Sequence, residues 1–284
     1  MLSVRNIAKR LPDGRLLLKN ISFEVEKGEF VGILGESGVW KTVLLRCING
    51  LTQPDHGEVI INGIKGDGGP QKINGKRGQE LRKIRREIGM IFQGSILVKR
   101  LSVLENVLTG GLGRISTVRS LLYGFTDEEV DSALGAIDKV GIRSLAYRRA
   151  ETLSGGEMQR AAIARVIFQE PRLLLADEPV SNLDPKNTEA VLDYLKPLTQ
   201  EMSIIGVFHA PKIVSQYCTR AIGIRDGNIV YDGNPFLSDR TLEAIYGAGK
   251  HTPGTTADKT FSSPWETVTE WKQEGEDGAA MQIS

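Results

Sequence analysis

Three short runs in this chain carry groups able to work on a phosphate. The first is GESGVWKT at residues 35–42. A tight glycine turn that opens a helix presents unpaired backbone N–H groups to anionic oxygens, and the helix dipole adds to the attraction. Gly35 and Gly38 permit such a turn, while Glu36, Ser37, Val39 and Trp40 would contribute backbone N–H groups. Lys41 has the ammonium such a loop needs for β- and γ-phosphates, and Thr42 the hydroxyl for Mg²⁺. One position departs from the pattern: glycine is expected before the lysine, and Trp40 stands there. A bulky side chain at that point is expected to crowd the close approach of backbone and phosphate. On its own, the run reads equally well as an ordinary glycine-rich strand-to-helix turn.

The second run, RLLLADEP at residues 172–179, is a buried-strand pattern that ends in two carboxylates. Asp177 is suited to Mg²⁺, directly or through water, and Glu178 to orienting and polarising an attacking water. A solvated acidic strand end is the alternative. The third run is LSGGE at residues 153–157. Ser154, Gly155 and Gly156 would open a helix without side-chain obstruction, a second anion site suited to a γ-phosphate. A plain serine N-cap is the competing account. Its place just upstream of the paired carboxylates favours the anion site.

The elements that must position these groups follow from periodicity and turn chemistry. Short β-type runs at residues 2–7, 21–25 and 30–34 precede the glycine turn, and a helix is expected over residues 41–48. Strand, glycine turn and helix in that order are the setting a phosphate-binding loop requires. A strand at residues 58–61 runs into an Asn62-Gly63 turn, and residues 65–76 read as a surface loop. From about residue 94 to 165 the pattern is helical. Thr126 and Glu129 form a capping box there, and Gly141 fits a helix end. Strands are expected again at residues 172–176 and 204–208, with a helix from Lys186 between them. Such alternation predicts an α/β fold with a mostly parallel sheet.

The chain has 284 residues, of which 40% are hydrophobic, enough for a sizeable core. Lys and Arg number 36 against 35 Asp and Glu, so the net charge is +1. That balance argues against nucleic acid as a partner bound through bulk charge. Cys47 and Cys218 read as small buried hydrophobes in a reducing compartment. No apolar run approaches the roughly 20 residues of a membrane span, and the N-terminal residues lack the apolar core of a signal peptide. A cytoplasmic location is expected.

The order of the motifs resembles the ABC ATPase family. The phosphate loop, Gln93 after a strand at residues 89–92, LSGGE, LADEP, SNLD at residues 181–184 and His209 at a strand end follow one another as they do in that family. The resemblance covers residues 1–247. It implies a P-loop NTPase (RecA-like) core with an antiparallel β subdomain and an inserted α-helical subdomain at about residues 94–165, all within a domain of residues 1–248. It also implies ATP and Mg²⁺ as cofactors. Gln93 would sense Mg²⁺ and a permease, Asp184 would lie at a dimer interface, and His209 would be the switch histidine on the γ-phosphate. Metal contacts would fall to Thr42, Gln93 and Asp177, and catalysis to Glu178, His209 and Gln93. In the implied homodimer each ATP sits between Lys41 of one copy and Ser154 of the other. The partners implied are an integral-membrane permease and, indirectly, a solute-binding protein, with the ATPase on the cytoplasmic face of the membrane.

Segments outside the ATP motifs narrow the resemblance. LVKRLSVLENVLTGGLGR, SLLYGF, AYRRAETLSGG and IRDGNIVYDG with a later IYG are similar to phosphonate-import ATPases. The solute is thus inferred by kinship, since fold alone does not carry function, and import of another solute is the alternative. Three positions depart from the family: Trp40, Leu11 where an aromatic would stack on adenine, and GSI at residues 94–96. Trp40 and Leu11 bear on ATP binding, so a regulatory subunit with impaired nucleotide binding is a second alternative. An ABC protein of DNA repair or translation would need long coiled coils or two cassettes, and neither is present. Residues 249–284 are rich in Gly, Thr, Ser, Asp and Glu and read as a disordered tail that could not join a core. Deleting residues 249–284 is expected to leave the melting temperature and the ATPase rate nearly unchanged. A large fall in melting temperature would show that Trp265 or Trp271 docks on the core.

Overall fold

The structure, a computed structural model, describes residues 1–36, 39–63, 69–94, 97–114, 124–181 and 183–247. The expected tail therefore lies outside the described residues. Six strands form the central sheet in the order β10-β9-β3-β8-β7-β6: β3 (Phe30–Leu34), β6 (Ile88–Ile91), β7 (Leu173–Asp177), β8 (Ser203–Val207), β9 (Arg220–Arg225) and β10 (Asn228–Gly233). All neighbours pair in parallel except β9 and β10, a hairpin turning through Asp226 and Gly227, both at positive φ. That geometry and the Asp-Gly pair suit a tight two-residue hairpin.

The parallel strands are apolar on both faces, and successive side chains enter opposite layers. Phe30 and Leu34 of β3 join one hydrophobic cluster, and Val31 and Ile33 the other. In β7, Leu174 and Ala176 go one way, Leu173 and Leu175 the other. Each such burial is worth roughly 1.5–3 kcal/mol, which is why runs as plain as LLLA define strands.

One layer is the helix α1 (Val39–Ile48) backed by a four-stranded antiparallel sheet in the order β2-β1-β4-β5: β1 (Leu2–Arg10), β2 (Leu16–Val25), β4 (His56–Ile61) and β5 (Gln71–Lys72). The loop expected over residues 65–76 therefore contains a short strand, because Ile60 and Ile61 offer free ladder positions to Lys72 and Gln71. Helix α2 (Gly78–Arg86) leads from this sheet back to β6.

The other layer holds α3 (Val103–Leu108), α4 (Asp127–Lys139) and α5 (Gly155–Gln169), the helical insertion between β6 and β7. Ser102, Thr126 and Ser154 each close a capping box with a glutamate three residues on. Gly141 takes φ +68 just past α4, where a left-handed residue ends a helix. Helices α6 (Pro185–Leu195), α7 (Pro211–Tyr217) and α8 (Asp239–Tyr246) complete the fold. Cys47 and Cys218 are free thiols, buried as expected.

Candidate functional site

Four parallel neighbours, β3, β8, β7 and β6, end side by side, and a motif follows each end. The glycine loop leaves β3, His209 comes after β8, Asp177 closes β7 and Gln93 comes after β6. The carboxyl edge of a parallel sheet is where open α/β folds place ligands. Register makes the convergence concrete: Val207 pairs with both Ile33 and Asp177, and Ala176 with Ile91.

Of the glycine loop, Ser37, Gly38 and the side chain of Val39 lie outside the described residues. Lys41 is 1% exposed, and its ammonium donates to the carbonyls of Gly35, at 2.9 Å, and Glu36. Burial lowers the Lys41 pKa to about 8, against the pull of Glu178, Asp177 and Glu36. The Trp40 ring differs from expectation. It is 8% exposed and belongs to the core cluster with Val43 and Leu44. It fills the space a Cβ on Gly35 would occupy, at 2.6 Å, and its face lies 4.6 Å from Lys41 Nζ. The first turn of α1 thus directs the ring inward beneath the loop. Its bulk is taken up by the absence of a side chain at Gly35.

Thr42 Oγ1 donates to Asp177 Oδ1 at 3.2 Å, joining the start of α1 to the end of β7. Asp177 is buried, which raises its pKa, while Thr42 and nearby cations oppose the rise. Among the described residues, no group of three or more His, Cys, Asp or Glu forms a metal cage.

Glu178 stands where the chain turns away from β7 with φ +49, a left-handed conformation that a non-glycine residue adopts at a cost of about 1–3 kcal/mol. Ser181 holds that turn, its N–H and hydroxyl donating to the Glu178 carbonyl at 3.2 and 3.0 Å. The side chain lies between two donors. His209 Nε2 is 2.7 Å from Oε1, and Gln93 Nε2 donates to Oε2 at 2.8 Å. Burial pushes the Glu178 pKa up, but the His209 bond and charge with Lys41 bring it below the usual glutamate value. An ionised carboxylate aimed in this way can accept a proton from water.

Ser154 and Asp184 lie at helix starts. Ser154 caps α5, and its backbone N–H donates to Glu157 at 2.7 Å. Asp184 caps α6, accepting from the Asn187 N–H at 3.1 Å and from its side-chain amide. A Cβ on Gly156 would meet Asn187 Oδ1 at 2.7 Å, so Asn187 joins the two motifs. Ser181 and Asn187 were missed as positioning residues. Ser181 stood within SNLD, and Asn187 is the third residue after an aspartate N-cap. Leu11 lies half-buried in the turn between β1 and β2, its N–H donating to Arg15 at 2.9 Å. After Gln93 and Gly94, Ser95 and Ile96 lie outside the described residues. Leu97 is buried in the helical layer, and Val98 is exposed.

Sheet order and the phosphate-site residues at its carboxyl edge define a P-loop nucleoside triphosphatase. The ABC transporter family profile matches residues 18–181. The phosphonates import ATP-binding protein of Treponema denticola is 43% identical over 245 residues, which span 85% of this chain and 93% of the relative. Its counterpart in Shouchella clausii is 43% identical over 250 residues, 87% of this chain and 91% of the relative. Among solved structures, a bacterial ABC transporter cassette seen as a dimer is 31% identical at a TM-score of 0.69, covering 84% of this chain and 100% of that one. The same cassette in a post-hydrolysis dimer with ADP and Pi is 30% identical at the same TM-score and coverage. The chain belongs to the ABC transporter family and is an ATP-binding ABC ATPase.

Proposed function

We propose that this chain is the ATP-hydrolysing subunit of an importer of phosphonates or a related phosphorus oxyanion, working as a homodimer on a membrane permease. The observation that carries the catalytic reading is Glu178 held between His209 and Gln93, one residue beyond the Asp177–Thr42 pair. In this reading Lys41 exchanges its loop carbonyls for the β- and γ-phosphates. Glu178 takes a proton from the attacking water, and His209 bridges the γ-phosphate and Glu178. Thr42 and Asp177 supply hard oxygen ligands that fit Mg²⁺, with Gln93 beside them, and the nucleotide phosphates would complete the shell. Bound there, Mg²⁺ would neutralise charge on the phosphates. Ser154, Gly155 and Gly156 of one copy would face the γ-phosphate held by the other, with Asp184 at the seam. That a related cassette is seen as a dimer, once with ADP and Pi, supports the pairing of two copies.

The solute follows from similarity to phosphonate import proteins over nearly their whole length. Among the described residues no helix is long and apolar enough to cross a membrane, so attachment to the cytoplasmic face would come through the permease. A solute-binding protein would deliver the solute on the other side. The decisive experiment is to purify the chain with a phosphonate-type permease, reconstitute both with a matching solute-binding protein, and follow labelled phosphonate. ATP-dependent uptake is expected. Uptake of a different solute would overturn the substrate, and no ATP hydrolysis would overturn the catalytic reading.

In this reading the permease docks on Gln93 and residues 94–98 after it, the segment that leads from the sheet into the helical insertion. Burial of Leu97 removes it from any surface, and the neighbouring Val98, 54% exposed, is the better contact. Asn106, fully buried, fixes this turn by accepting from the Val98 N–H and donating to the carbonyls of Val98, Leu101 and Ser102. Val98→Glu is expected to weaken assembly with the permease by tenfold or more, about 1.4 kcal/mol, with the melting temperature unchanged. Pull-down and thermal melting check both halves. Normal assembly would put the docking surface elsewhere.

A further inference from the structure

The carboxyl-terminal helix reaches the site from a side that no phosphate motif marks. A Cβ on Gly223 would come within 2.4 Å of Ile245 Cγ1, so α8 lies directly against the backbone of β9. Arg225, at the end of β9, donates to the carbonyls of Glu243 and Ala244 at 3.5 and 3.3 Å. Those carbonyls belong to the last turn of α8, where acceptors are left open to partners outside the helix; that of Glu243 also accepts from the Gly247 N–H at 2.8 Å. The end of the helix is therefore anchored to the strand beside β3.

Tyr246 is the last residue of α8. Its hydroxyl donates to the backbone carbonyl of His209 at 3.4 Å. Burial pushes the phenol up to about 12, against a smaller downward pull from the Gly35 backbone, so at neutral pH it keeps the proton it donates. Gly35 is enclosed on its other sides by the Ile224 carbonyl and the Trp40 ring. The Tyr246 hydroxyl thus reaches the peptide of the histidine that pairs with Glu178.

We propose that Tyr246 is a positioning residue for hydrolysis, holding the His209 peptide so that the histidine keeps its register over Glu178. The inference rests on the roles given above to His209 and Glu178. Tyr246 acts through the His209 backbone.

Tyr246→Phe removes the hydroxyl and leaves the ring. Its kcat is expected to fall roughly fivefold, the scale of one net hydrogen bond, with KM for ATP changed by less than about twofold. The melting temperature should move by no more than about 2 °C. In a His209→Ala background, measured by single turnover, the same substitution should have no further effect, because the path through His209 is already lost. An unimpaired Tyr246→Phe enzyme, or an equal loss in both backgrounds, would overturn the inference. A slowed His209→Ala beside an unimpaired Tyr246→Phe overturns this inference alone. A His209→Ala enzyme at the parent rate overturns it together with the role assigned to the histidine.

Discussion

Glu178→Gln is expected to slow ATP turnover by roughly 10²–10⁴-fold, the range associated with losing a general base, while ATP binding is kept. The substitution preserves shape and removes the negative charge. It also breaks the local pairing. Glu178 accepts from His209 through one oxygen and from Gln93 through the other. A glutamine has a single acceptor oxygen, so its amide must face one of those donors. Binding should survive because Lys41 and Thr42 stand on α1 and do not depend on Glu178 for their place. The expected product is a long-lived ATP-bound dimer, seen by gel filtration as a shift that needs ATP. A variant that turns over at the parent rate would remove Glu178 from the mechanism.

Trp40→Gly is expected to cost about 3–5 kcal/mol of stability, the range for emptying a buried aromatic site, and to lower the melting temperature by about 10 °C. Motif reasoning alone gives a different forecast: relief of crowding and an affinity gain of about tenfold, or 1.4 kcal/mol. The structure decides between the two by where the ring goes. It lies in the core against Gly35 and beneath the Lys41 ammonium. Its removal opens a void, withdraws a cation–π contact and sets a glycine in the first turn of α1. ATP affinity per folded molecule should therefore change by less than about threefold, which is under 1 kcal/mol. Thermal melting with a titration of nucleotide on the folded fraction tests both numbers. Tenfold tighter binding with an unchanged melting temperature would restore the crowding account.

This reading also bears on the regulatory alternative. Gly35 and Trp40 fit each other, one lacking the Cβ where the other places its ring. A substitution matched in this way is consistent with a working loop, and Lys41, Thr42, Asp177, Glu178 and His209 are all present. Leu11 remains the other departure from the family pattern. It is half-buried in a turn closed by its own N–H and carbonyl, and it offers an aliphatic surface where an aromatic face was expected.

What the sequence determined by itself is what local physics decides. Apolar runs such as residues 30–34 and 173–176 became strands because burial on both faces leaves few other uses for them. Ser154, Thr126 and Asp184 became N-caps because each cap joins partners only three residues apart. The order of the motifs was enough to recognise the family. Tertiary structure alone decided which distant groups meet and which way a side chain faces. Gln93, Glu178 and His209 converge only because β6, β7 and β8 lie side by side, an order that local periodicity does not encode. Trp40 turned inward and Leu97 entered the helical layer because the face of an element that is buried depends on what packs against it. The Tyr246 link spans 37 residues to His209, and it exists because Arg225 and Gly223 draw α8 onto β9. Contacts between residues so far apart in the chain are set by how the layers assemble, and no window of sequence contains them.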